Sequence, residues 1–257
     1  WDQGVAGSNP VFPIVARVRV FLPALFYLEK WRFRMDFSFK KRNVKRLYLN
    51  YSLLFIVIAA CIFGSYLIFG HTFILNRDAL NQHLPLMVKY RAAVLEFLKH
   101  PFHAHEVWSW QMGLGTDTFQ VYSYYTLGDV FSYLALLFPV SKMTRAYQII
   151  LILRMYCVGL SFVYFAQHFK LRDNVILGGT VAYMVNAFLL YACVAQPFFT
   201  TPFILFPLIV VQIERVLQGR SAWPLVGAFF WMLVSNYYLA YVLGIGAFIY
   251  LVLRVLT

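Results

Sequence analysis

Leu49 to Gly70 is a run of 22 residues without a charge, and it constrains this chain more than any other feature. A helix of that length rises about 33 Å, enough to cross the ~30 Å of hydrocarbon in a bilayer. Lipid offers no partners for backbone N–H and C=O groups, so a helix is the form open to such a run. The remainder is similar in kind: 61% of residues are hydrophobic and 12% charged, with mean hydropathy +0.68. That is the composition of a polytopic membrane protein.

A net charge of +12 suggests nucleic acid in a soluble chain, but here no soluble fold displays a basic face, and we exclude that class. Eight Lys and Arg residues lie between Lys30 and Arg46, directly before the first span. This is the positive-inside pattern, which predicts a cytoplasmic N-terminus. The same cations suit anionic lipid headgroups, making membrane lipids the first expected partner. Cys61, Cys157 and Cys193 all lie in apolar runs and form neither a disulfide framework nor a Cys-x-x-Cys metal pair.

The chain divides into three segments. Residues 1–34 do not fit the helix pattern of the rest: Pro13, Arg17, Arg19 and Pro23 interrupt their apolar stretch, which is a poor span and a poor signal sequence. Gly7-Ser8-Asn9-Pro10 is what the DNA of a tRNA T-arm yields on translation, so we expect a non-native extension from an over-extended gene start, with Met35 as initiator. An amphipathic cytoplasmic anchor is the alternative. Residues 35–48 form a basic cytoplasmic segment, and 49–257 a transmembrane domain with an outer loop at 71–145.

The expected fold class is an all-α polytopic membrane protein of about six transmembrane helices. After the first span we place Ala146–Gln167, Val175–Val194, Phe198–Leu217, Ala222–Tyr238 and Leu239–Leu256. Val130–Val140 is only 11 residues long and holds Pro139; at about 16 Å it reads as an interfacial or re-entrant helix. Excluding it leaves Lys170, Arg172, Arg215, Arg220 and Arg254 on the inside, as the charge rule requires. Apolar residues at Leu80, Leu84, Met87, Val88, Val94, Leu95 and Leu98 predict amphipathic helices across Ala79–Lys99, lying on the outer surface. Pro202 and Pro207 are expected to kink their span. Ser235–Tyr238 must turn near or below the outer interface, because only 35 residues remain from Trp223 for two spans.

Five of the ten acidic residues lie between positions 71 and 145, so the outer loop is where chemistry is expected. Asp78 follows the first span by eight residues; it suits a general base that takes a proton from a sugar hydroxyl, or else the N-cap of the next helix. Asp117 and Asp129 suit a second acidic or metal pair, with Gly113 and Gly115 admitting close backbone approach, or else ordinary turn chemistry. The run from His100 to Glu106 is crowded with possible ligands, but matches no zinc spacing and reads as a solvated loop. Arg154 sits about 12 Å into its span, where an unpaired charge is expensive. Its planar guanidinium fits a lipid phosphate or a carboxylate; an internal ion pair and snorkelling are the alternatives. Trp108, Trp110, Tyr122, Tyr124 and Tyr125, and Asn236, Tyr237 and Tyr238 at the last hairpin, suit sugar stacking or an interfacial aromatic belt.

Several of these stretches, taken in order, resemble a known family. Asp78-Ala79-Leu80-Asn81-Gln82-His83-Leu84-Pro85, Trp108-Ser109-Trp110 with Gly113-Leu114-Gly115-Thr116-Asp117, Tyr122-Ser123-Tyr124-Tyr125 with Gly128-Asp129, and Ser235-Asn236-Tyr237-Tyr238 are similar to the YfhO family. These are bacterial multi-spanning proteins of the GT-C glycosyltransferase type. The similarity runs from about Lys40 to Thr257 and corresponds to the N-terminal membrane portion of longer family members. It implies sugar transfer from a polyprenyl-phosphate donor on the outer face of the plasma membrane. In Gram-positive relatives the acceptor is a wall polymer such as lipoteichoic acid. It further implies that Asp78 is the essential carboxylate, that Arg154 contacts the donor phosphate, and that His83, Trp108, Trp110, Asp117, Tyr124, Asp129, Asn236 and Tyr237 line the acceptor or sugar side or form a second acidic site.

No cofactor motif is evident; participation of a divalent cation stays open, and no metal ligands are assigned. Two other functions remain compatible with the residues. A lipid-linked sugar transporter or flippase would also use an intramembrane arginine and proline-broken spans. An inactive, truncated fragment is the third possibility.

Overall fold

The structure is a computed structural model that describes residues 43–103 and 107–256. The expected extension at 1–34 and most of the basic segment 35–48 lie outside them. By its contacts the chain divides into a unit of residues 43–244 and a second that contains Ile245–Thr257.

The first unit opens with α1 (Val44–Ile68), whose start is capped by Asn43 accepting from Arg46 N–H. A π-helical turn (Ala79–His83) runs directly into α2 (Leu84–Lys99). A two-stranded antiparallel hairpin pairs β1 (Trp108–Ser109) with β2 (Thr116–Asp117), Trp108 opposite Asp117. Next come α3 (Thr118–Tyr125), 3-10 turns at Ser132–Leu137 and Val140–Lys142, and the long α4 (Met143–His168). The remaining elements are α5 (Asp173–Met184), α6 (Ala187–Ala195), a 3-10 turn (Pro197–Thr200), α7 (Thr201–Leu217), α8 (Trp223–Ser235) and α9 (Tyr237–Leu256).

The core forms around α4, which packs against α1, α5 and α7 and buries Tyr147, Ile150, Leu151, Arg154, Met155, Val158 and Val163. In lipid, apolar side chains have no water to escape, so small residues and polar contacts hold helices together. The α1–α4 seam follows this rule. Tyr48, Tyr51, Ser52 and Phe55 lie at helical spacing on one face of α1. Tyr51 Oη donates to the Tyr156 carbonyl at 2.5 Å, its ring stacks on Tyr156, and Tyr48 Oη donates to Gln167 Oε1 at 3.0 Å. Gly159 makes room for Tyr51: a Cβ there would stand 2.4 Å from the phenol oxygen.

The all-α membrane character holds, with four stretches able to cross a membrane, or five if the bent pair α5 and α6 forms one span, against about six expected. Four helical stretches are long and apolar enough to cross a membrane: Val44–Ile68, Val140–His168, Pro197–Leu217 and Tyr237–Leu256. The expected span Val175–Val194 is instead two helices, α5 and α6, bent by 54°. Asn186 causes the break. Its Oδ1 accepts from Leu189 N–H and so starts a new helix, while its Nδ2 donates to the Tyr183 carbonyl. The expected span Ala222–Tyr238 forms only the 13 residues of α8, about 20 Å of rise, short of a hydrocarbon core. Val130–Val140 is not a regular helix; it is drawn into 3-10 turns. Pro202 falls in the first turn of α7, where its missing N–H costs nothing, and α7 continues through Pro207.

Candidate functional site

The segment after α1 enters the π-helical turn at Asp78, the exposed residue just before it, and the turn ends on the buried His83. π-helical turns are rare and recur at functional sites. Their hydrogen bonds join residues five apart, so this turn brings Asp78 and His83 onto one face. Asp78 makes no capping bond to the helix, which removes the N-cap reading. Its Oδ2 instead accepts from Gln196 Nε2 at 3.0 Å, across 118 positions of sequence.

Gln196 belongs to the corner between α6 and the Pro197–Thr200 turn, and three contacts dock the Asp78 segment along that corner. Leu75 N–H donates to the Val194 carbonyl at 3.3 Å, Gln196 holds Asp78, and the His83 ring meets Phe198 edge-on at 5.3 Å. Phe198 is the hub of an aromatic wall. Tyr124 and Tyr125 pack on it at 5.8 and 5.4 Å, His83 lies 5.4 Å from Tyr125, and Tyr237 lies 5.6 Å from Tyr124. Gln82 Nε2 donates to Tyr125 Oη at 2.9 Å.

His83 is 8% exposed and its Nε2 has no hydrogen-bond partner. Burial pushes its pKa down from 6.5 to about 4; Asp78 opposes the shift and the Arg154 charge adds to it. At neutral pH the imidazole is therefore uncharged. Asn236 is buried as well: its Oδ1 accepts from Leu239 N–H and starts α9, while its Nδ2 is unpartnered. Gly128 packs this turn against the segment before α4, since a Cβ on it would lie 1.9 Å from the Val234 carbonyl oxygen.

Arg154 is 2% and Asp129 1% exposed, and the two form an ion pair through Nη2 and Oδ2. Arg154 Nη1 also donates to Thr201 Oγ1 at 3.1 Å, and the guanidinium lies 4.5 Å over the Phe131 ring. Asp129 accepts from Ser132 N–H at 3.1 Å and Ser132 Oγ at 2.7 Å. The guanidinium expected at a donor phosphate thus has its charge met by a carboxylate inside the protein, and a phosphate would have to displace Asp129. The Asp117–Asp129 pair is likewise redistributed. Asp117 caps α3 by accepting from Gln120 N–H at 2.9 Å, a local bond of the kind turn chemistry uses.

Trp108 and Trp110 meet edge-on at 5.6 Å on the hairpin, with Trp110 largely exposed and a Cβ on Gly115 excluded by its ring. His100 and His103 are exposed, as a solvated loop requires; His105 and Glu106 lie outside the described residues. Among the described residues, no three His, Cys, Asp or Glu side chains gather as a metal site.

Of the residues anticipated from sequence, Asp78, His83, Tyr124 and Tyr237 meet on one wall. Gln196, Phe198 and Tyr125 complete it. The only trace of Gln196 in the sequence is a carboxamide next to a proline in an otherwise apolar stretch. A family model described as bacterial membrane protein YfhO matches residues 52–257. No curated protein and no solved structure matches the chain.

Proposed function

The chain belongs to the YfhO family of bacterial membrane proteins, and from that premise we propose that it is a GT-C type glycosyltransferase with Asp78 as general base. The donor in this reading is a polyprenyl-phosphate sugar and the acceptor a teichoic-acid-type polymer such as lipoteichoic acid. Both meet at the outer face of the plasma membrane of a Gram-positive cell, with the N-terminus in the cytoplasm. The acceptor hydroxyl oxygen attacks the anomeric carbon and Asp78 takes its proton. The bond to phosphate breaks with its electrons, and the polyprenyl phosphate departs. One displacement inverts the anomeric centre. The leaving group is already a phosphate, so the reaction needs no nucleotide motif.

The observation that carries this reading is the state of Asp78: exposed, uncapped, and held through one oxygen beside an aromatic wall. Aromatic faces pack against the C–H faces of a sugar ring, and in this reading the exposed Tyr237, which meets Tyr124 edge-on, serves as such a platform with Tyr124. His83, buried and neutral, supports this wall through its ring contacts with Tyr125 and Phe198. Trp108 and Trp110 serve as outer contacts for acceptor or lipid.

The test is Asp78→Asn in the protein as the cell makes it, with insertion verified and wall-polymer glycosylation measured. The reading requires a loss of at least about 100-fold, the scale of general-base catalysis. Glycosylation at the native rate refutes it.

A further inference from the structure

Gln196 has a firmly held backbone and a side chain directed to a single task. Its N–H donates to the Ala192 carbonyl at 2.9 Å, its own carbonyl accepts from Phe199 N–H at 3.0 Å, and Pro197 restricts the chain immediately after it. From that frame the amide nitrogen reaches Asp78 Oδ2. The flanking contacts, Leu75 to Val194 and His83 to Phe198, keep the two segments in register on either side. An ionised carboxylate only accepts hydrogen bonds, so the amide must present its N–H to it and turn its oxygen away.

We propose that Gln196 is the positioning residue of the Asp78 base; the proposal rests on the reading of Asp78 given above. The bond occupies Oδ2 and fixes the carboxylate rotamer, leaving Oδ1 to take the proton of the acceptor hydroxyl. A neutral donor suits this task. A lysine or arginine at the same place would stabilise the carboxylate anion far more and make it a weaker base. The amide orients the carboxylate at a smaller cost in basicity. Gln196 touches neither the sugar nor the phosphate in this scheme and acts through Asp78 alone.

Two substitutions separate orientation from packing. Gln196→Met keeps side-chain volume and removes the donor; Gln196→Glu keeps shape and sets a second carboxylate against the first. Both are assayed per inserted molecule in right-side-out vesicles carrying the protein as the cell makes it. Polyprenyl-phosphate glucose and polyprenyl-phosphate N-acetylglucosamine are the donor probes, with endogenous wall polymer as acceptor. Gln196→Met is expected to lower kcat about 10- to 100-fold, the scale of a misplaced catalytic group, with KM within about twofold. Gln196→Glu is expected to raise the acid limb of the pH–rate profile by about one pH unit or more. The Asp78 carboxylate band, isolated by infrared difference against Asp78→Asn, gives a readout that needs no substrate, and its frequency should shift in Gln196→Met as the hydrogen bond to Oδ2 is lost. Native kcat and an unmoved carboxylate band in Gln196→Met, with a native pH profile in Gln196→Glu and Asp78→Asn inactive, overturn the positioning role alone. An active Asp78→Asn removes the base and the positioning role with it.

Discussion

Arg154 and Asp129 face each other as an ion pair sealed inside the protein, 2% and 1% exposed. Thr201 and Ser132 supply further hydrogen bonds, and the Phe131 ring lies against the guanidinium. The pair fastens the irregular segment before α4 to α4 itself, and through Thr201 to the start of α7. Its effect extends to the site, because the Arg154 charge contributes to the lowered pKa of His83.

Removing one member should therefore cost far more than removing both. Arg154→Met or Asp129→Asn leaves a buried group without its counter-charge, a change on the order of 3–5 kcal/mol. The double variant should recover much of that loss. Thermal unfolding midpoints in detergent, arranged as a double-mutant cycle, check this. A loss in the double variant equal to the sum of the two single losses would show that the pair contributes nothing as a pair.

Two glycines should resist even one added methyl group. At Gly128 a Cβ would fall 1.9 Å from the Val234 carbonyl oxygen, which is backbone and unable to rotate away. Gly128→Ala should destabilise by about 1–3 kcal/mol or more and loosen the Ser235–Tyr238 turn from the segment before α4. At Gly159 the obstacle is the Tyr51 ring, so Gly159→Ala should separate α1 from α4, and Tyr51→Leu in the same chain should relieve part of the damage. Gly178, with open space around its Cβ position, is the control: Gly178→Ala should leave the unfolding midpoint unchanged or higher.

His83 should make stability depend on pH. Its pKa is about 4 in the folded protein against an ordinary 6.5, so below 6.5 the unfolded chain binds a proton that the folded one refuses. Stability from this residue is complete above pH 6.5 and declines as pH falls towards 4. The expected loss across that window is about 2–3 kcal/mol. A midpoint series from pH 8 to 4 should slope downward on the acid side in the native protein and lose that component in His83→Gln. Identical slopes in the two would show that the imidazole is not buried in its neutral form.

Much of this architecture is determined by the residues locally. Leu49–Gly70 has to be a helix in lipid because its backbone has nowhere else to bond, and the apolar spacing of Ala79–Lys99 reappears as the π-turn and α2. Asp78 stands out because a lone carboxylate close to a span end is chemically conspicuous. What local pattern could not reveal is which distant groups meet. The Asp78–Gln196 bond joins positions 118 apart, and Asp129–Arg154 and Gly128–Val234 are likewise matters of how the chain packs back on itself. Hydropathy also overstated the continuity of Val175–Val194, since a single side chain, Asn186, caps a new helix in its middle.

The sequence alone determined the membrane character and the gathering of half the carboxylates between positions 71 and 145, because hydrophobic length and charge act residue by residue. Tertiary structure alone decided that Arg154 is spent on Asp129 while Asp78 stays open beside Gln196. An ion pair forms only between groups that packing brings within a few ångströms, and that distance is a property of the whole bundle.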